Sequence, residues 1–281
     1  EGADAAGIAA RARRDRACAD PAPAPAFGTA PSSLFEHYTS TEFPMSPETL
    51  LILSLVVLVA AFIQGSTGVG FALISTPVIG ILRPELLPVC VLVLMLPLNF
   101  YVVSRERGAV DRIGASWVTG GRIIGTAGGI WVLAALSASH LSLFVGASTI
   151  AAALVTLLMP PFSPSRPAFI TAGLITGVTE TATGIGGPPL ALLYQHQPPA
   201  TMRSTIALCF LLGEVVSLVT LMATGRISAA QLLAAALLLP ALVVGSTLSH
   251  VVHHRINGRF LRNFVQVFAI VSGIVLIVHA S

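Results

Sequence analysis

A chain of 281 residues that is 54% hydrophobic and only 10% charged, with a mean hydropathy of +0.87, is not a soluble globular domain, which carries about 25% charged residues. Its net charge of +3 rests on 15 basic residues, all of them arginine. Beyond residue 45 most of these sit between apolar segments, the distribution of a cytoplasmic membrane face, and no basic stripe on a polar surface is left for a nucleic acid.

Residues 1–44 hold an Arg/Ala/Asp run (AARARRDRACAD), then PAPAPAF, then a polar stretch. Nothing there can pack a core, so the sequence predicts a disordered, dispensable Arg/Ala/Pro-rich arm. No apolar run of signal-peptide length follows the arginines before Met45, and Met45 stands as a candidate native start. From 45 to 281 hydrophobic segments follow one another at 50–82, 86–104, 114–136, 140–159, 168–196, 204–224, 228–249 and 261–280. Six have the length of an ordinary membrane helix.

The segments 50–82 and 168–196 are different. The first reads LLILSLVVLVAAFIQ–GSTGVG–FALISTPVIGIL and the second AFITAGLITGV–TETATGIGGPP–LALLYQH. Glycine and interior proline break helices, so each segment is two apolar arms around a broken centre, and backbone freed at membrane depth must be buried or line a wet cavity. Thr67-Gly68-Val69-Gly70 is repeated as Thr183-Gly184-Ile185-Gly186, 116 residues later. Leu82-Arg83 and Met202-Arg203, Cys90 and Cys209, and Gly125-Thr126 and Gly245-Ser246 recur in the same order. The chain therefore consists of two homologous halves, about 48–160 and 167–280.

Counting arginines orients them. If both broken segments cross fully, the arginines divide evenly between the faces. If each enters and returns on one side, Arg105, Arg107, Arg112, Arg166, Arg203, Arg255, Arg259 and Arg262 share a face against Arg83 and Arg226, the expected asymmetry. Each half then has an odd number of full crossings and the halves are inverted. The expected fold is an all-α, polytopic membrane helical bundle: an inverted repeat with two broken, re-entrant glycine-rich segments.

Helix N-termini with exposed N–H groups hold anions. The candidate binding residues are thus Gly65, Ser66, Thr67, Gly68 and Gly70 in the first break and Thr179, Glu180, Thr183, Gly184, Gly186 and Gly187 in the second, with Thr181 a further hydroxyl donor. The same glycines also suit close helix packing. Intramembrane charge is costly: Arg122 either neutralises a passing anion or snorkels, Glu180 either carries a coupling proton or caps a neighbouring helix, Arg203 either joins the site or anchors at the interface, and Glu214 is expected to pair with a polar neighbour. Cys18, Cys90 and Cys209 lack metal or disulfide spacing, and HVVHH around His253 and His254 reads as a solvated, arginine-rich loop. No metal or organic cofactor is expected. An enzyme is not expected either, since no intramembrane aspartate or HExxH is present.

The blocks AFIQGSTGVGFALISTP (61–77) and GLITGVTETATGIGGPPLALLY (173–194), with Met202-Arg203-Ser204-Thr205, resemble the TauE/SafE sulfite exporter family, the toluene-sulfonate uptake permease group, over about 48–280. Phe71 departs from that pattern, standing where many relatives have a third glycine. The resemblance implies a multi-pass protein of the cell membrane, a bacterial inner membrane, moving sulfite, sulfonates or related organic anions as a secondary carrier. A passive channel or a carrier of another small solute is the alternative. The expected partners are a small anionic substrate, the lipid bilayer and, from the placement of Glu180 in the second break rather than from the resemblance, a coupling proton; a homo-oligomer is left open.

Overall fold

The structure is a computed structural model that describes residues 45–158, 164–252 and 258–280. The expected arm at 1–44 lies outside the described residues. Those from 45 onward belong to one compact unit.

The described residues form helices and no strands. The first half holds α1 (Pro47–Thr67), α2 (Phe71–Leu82), α3 (Val89–Arg105), α4 (Arg112–Ala135) and α5 (Ala138–Leu158); the second holds α6 (Arg166–Thr183), α7 (Gly187–Tyr194), α8 (Pro199–Ala223), α9 (Ala229–Val252) and α10 (Gly258–Ala280). Starts follow local chemistry. Ser46 accepts from the Thr49 N–H ahead of Pro47, and Asp111 accepts from the Gly114 N–H, while Pro199 pre-sets the first turn of α8. Helix α8 therefore begins five residues before the expected 204, which places Arg203 on the helix. Helices α1, α4, α8 and α9 are each long and apolar enough to cross a membrane, and the 17-residue α3 is at the lower end of that range.

Both broken segments break at glycine. Helix α1 ends at Gly68 (φ 84°) and α6 at Gly184 (φ 82°), both left-handed, a conformation that disfavours any residue with a Cβ. The chain then reverses, so α1–α2 and α6–α7 are helical hairpins.

Packing reveals the symmetry. The pairs α1–α9, α2–α10 and α3–α9, each joining the two halves, recur as α6–α4, α7–α5 and α8–α4, and the equivalent helices α3 and α8, like α5 and α10, pack on each other. Their directions fix the axis. Asn99 meets Glu214 and Glu106 meets Arg203, so α3 and α8 are antiparallel; Gly146 lies against Gly273 and Ile277, and Gly273 against Ile150, so α5 and α10 are too. A two-fold axis that makes equivalent helices antiparallel runs across them, in the membrane plane. The halves are inverted.

Glycine lets the outer hairpin arms dock tightly, as small residues do between membrane helices. A Cβ on Gly125 or Gly173 would run into the carbonyls of Leu174 or Val118 in the α4–α6 contact, and one on Gly245 into the Leu58 carbonyl in α1–α9. These registers make α1 parallel to α9 and α6 parallel to α4. Hairpin α1–α2 thus enters and leaves by one face, where Gln231 of α9 donates to the Glu85 carbonyl and Arg226 to that of Leu133. Hairpin α6–α7 enters and leaves by the other, where Arg105 meets His250, Arg203 meets Glu106 and Arg166 lies over Trp117. Arg105, Arg107, Arg112, Arg166 and Arg203 lie toward that arginine-rich face, against Arg83 and Arg226 on the opposite one. Helix α10, whose first turns carry Arg259 and Arg262, starts there too. This is the asymmetry of arginines between the two ends of the bundle that the sequence predicts.

Candidate functional site

The tips of the two hairpins meet inside the bundle. Gly70, Gly186 and Gly187 line one small cleft with Gln64, Ala72, Leu73, Met95 and Phe210, and Met95 and Phe210 come from the middle of α3 and α8. Gln64 is 2% exposed; its Oε1 accepts from the Phe71 N–H at 3.1 Å, which pins the first turn of α2 to α1. Its Nε2 has no partner among the described residues. The N–H groups of Gly70, Gly186 and Gly187 likewise find no protein acceptor among them. Pro188 and Pro189 have no N–H, so Gly187 supplies the only one in the first three residues of α7. The cleft is thus walled by donors at two helix N-termini, where the backbone dipoles favour negative charge.

A larger cavity of about 260 Å³ leads toward it from the arginine-rich face. Ser66, Thr67 and Val69 of the first tip line it, with Gln195, Gln197 and Arg203 at its mouth and Leu73 shared with the cleft. The size is just below the range of drug-sized ligand sites, about 300–1,000 Å³, which suits a small anion. Arg203 is held to Glu106 at 2.6 Å, and Glu106 also pairs with Arg105 at 3.0 Å.

Behind the cleft lies a buried charged layer. Arg122 of α4 is 1% exposed and Glu180 of α6 fully buried; they approach to 2.7 Å without hydrogen-bond alignment. The Arg122 guanidinium sits on Gly213, whose missing side chain makes the room, and over the Phe210 ring at 5.6 Å. Glu180 Oε2 touches Gly186. Both members of the pair therefore press on the cleft wall from outside it. Glu214, also fully buried, accepts from Asn99 Nδ2 at 2.7 Å.

The family model of the sulfite exporter TauE/SafE matches residues 53–276, which spans both hairpins and the helices around them. The chain belongs to the sulfite exporter TauE/SafE family. No curated protein and no solved structure matches it. Family membership and the long apolar helices make it a multi-pass transporter of the cell membrane.

Within this TauE/SafE chain the candidate residues fall into distinct places. Gly70, Gly186 and Gly187 line the cleft, and Ser66, Thr67 and Arg203 line the open cavity. Gly68 and Gly184 form the turns. Gly65 packs on Ser249, the close-packing role. Thr183 shapes the second break, donating to the Thr179 carbonyl and accepting from the Ile185 N–H. Thr181 bonds Ser217. Thr179 faces away, donating to the Ile175 carbonyl and lining an apolar pocket against α5, so it does not join the others. Arg122 does not snorkel, Glu180 caps no neighbouring helix, and Glu214 takes a polar partner as expected. Gln64 is absent from the sequence-derived set, although shifting the halves by 116 residues places it opposite Glu180. His253, His254 and Arg255 lie outside the described residues.

Proposed function

We propose that the chain carries small oxyanions, sulfite and organic sulfonates foremost, by alternating access about the inverted repeat. The observation that carries this reading is the meeting of the two tips, where Gln64 and the Gly70, Gly186 and Gly187 N–H groups line one cleft without protein acceptors. At about 10 Å³ the cleft has room for about one water in this conformation, and the adjoining cavity of about 260 Å³ supplies the space an oxyanion needs. Donors left unpaired in a membrane interior are expensive, and an oxyanion satisfies several at once. Broken segments meeting at the midplane are where inverted-repeat carriers bind cargo.

Alternating access is supported by a difference between the tips. Thr67 and Val69 reach the open cavity, while their counterparts Thr183 and Ile185 are buried, at 0% and 2% exposure. The space at the opposite face, bounded by Gly80, Glu85, Leu141 and Leu276, includes no residue of either break. A passive pore would be open to both faces.

The test is the melting temperature of the purified protein with sulfite, thiosulfate, methanesulfonate and acetate, followed by uptake into proteoliposomes. The sulfur oxyanions are expected to raise the melting temperature above acetate. A flat response to all of them would refute the reading.

A further inference from the structure

The buried layer holds two carboxylates against one guanidinium. Charge uncompensated at zero exposure is strongly disfavoured, so the layer is neutral only with one proton on it. Glu214 is the resident holder by geometry: its partner is the uncharged Asn99 amide, it lines none of the cavities described, and Arg122 is committed to Glu180. The groups facing Glu180 are Arg122 from α4 and, from α8, Glu214 and the Cys209 thiol. From the break just before α7 comes only the Gly186 backbone, and α3 adds only neutral Asn99 to the layer.

Arg122 is the sole cation of this layer among the described residues, and its Nε and Nη1 have no hydrogen-bond partner. One aromatic ring, Phe210, separates it from the cleft, and one glycine, Gly186, separates Glu180 from the same cleft. An anion in the cleft and Glu180 therefore draw on a single positive charge.

We propose that cargo and Glu180 compete for Arg122, so that each anion occupying the cleft is carried together with one proton on Glu180. The step forms one O–H bond on the Glu180 carboxyl at the expense of a hydronium ion, and no bond of the cargo changes. Neutralised, the carboxyl no longer needs the guanidinium, and the layer together with a monoanionic cargo keeps the net charge that the layer has alone. The proposal rests on the anion-carrier reading above and adds the driving ion to it.

The test uses the full chain and methanesulfonate and thiosulfate, both ionised throughout the range studied. Their apparent affinity is expected to fall about tenfold per pH unit on the alkaline limb, the signature of one linked proton. A pH-indicator dye in weak buffer should report about one proton taken up per anion bound. Glu180→Gln should still bind the anions but lose both the pH slope and the proton uptake, whereas Glu214→Gln should keep both. A pH-independent affinity without proton uptake in the unaltered chain overturns the coupling and leaves the anion reading standing, and needs no variant to fold. Retention of the slope in Glu180→Gln with its loss in Glu214→Gln also overturns the proposal. No response to either anion or to sulfite overturns the anion reading itself.

Discussion

The two hairpin turns are nearly superimposable in chemistry and opposite in use. In the first, Thr67 donates to the Ile63 carbonyl, Gly68 turns left-handed and its N–H returns to the Gln64 carbonyl at 2.7 Å; in the second, Thr183 donates to Thr179, Gly184 turns likewise and its N–H returns to Glu180 at 2.7 Å. Four residues before each turning glycine the halves diverge. Gln64 spends its side chain on the α2 terminus, while Glu180 spends its on Arg122. Duplication supplied the geometry, and divergence at one position put a neutral donor on one wall of the cleft and a paired charge behind the other.

That contrast breaks most visibly at Arg122. Arg122→Gln leaves Glu180 buried without its counter-ion and should cost about 3–5 kcal/mol, read as a large drop in melting temperature in detergent. Pairing it with Glu180→Gln should recover most of the loss, because the two residues form one unit. If the single and double variants melt alike, the ion pair is not what holds the layer together.

On the neutral side, Gln64→Leu removes the acceptor of the Phe71 N–H and the free Nε2 donor from the cleft. A hydrogen bond to a charged group is worth about 1.5–3 kcal/mol, so methanesulfonate affinity should weaken by roughly ten- to a hundredfold. Unchanged affinity would show that anions do not reach the cleft.

Gln64 also marks the limit of what was legible in the sequence. The helical class, the two breaks, the halves and their inversion were all readable because each rests on a backbone or bulk property: hydropathy, glycine and proline, and arginine placement. The site was only partly readable. Glycines at 68, 70, 184, 186 and 187 announce themselves, but Gln64 looks like the polar end of an apolar run until the repeat is aligned through it. The Arg122–Glu180 pair joins residues 58 apart on different helices, and no local pattern predicts that. Thr179 misled because the break was read as starting before it, whereas α6 continues to Thr183 and turns that hydroxyl outward.

The turns themselves should tolerate change about equally in stability. Gly68→Ala and Gly184→Ala each force a Cβ into the left-handed region, at about 1–2 kcal/mol. Their functional effects should differ. A Cβ at 68 meets the Arg203 side chain at 2.7 Å, whereas at 184 it meets Val91 at 3.1 Å. Gly68→Ala should therefore lower anion uptake beyond what its melting temperature accounts for, and Gly184→Ala should not. Equal losses of uptake at equal stability would mean that both turns, and not the first alone, border the path by which cargo enters.

The smallest effect is expected at the mouth of the open cavity. Arg203 has a side-chain exposure of 17% and already shares Glu106 with Arg105, so its charge is partly neutralised and partly screened. The pair is part-buried, but Arg105 still balances Glu106 when the charge at 203 is removed. Arg203→Gln should thus slow methanesulfonate uptake by only about threefold at low salt, shrinking as ionic strength shortens the reach of its field. Arg83, the matching arginine of the first half, pairs with Glu85 at the opposite face and lines none of the cavities described, so Arg83→Gln should leave uptake from the arginine-rich side unchanged. A salt-dependent loss at 203 with none at 83 would locate cargo entry at the arginine-rich face in this conformation. Equal losses at both would mean that the accessible face is not the one the cavity marks.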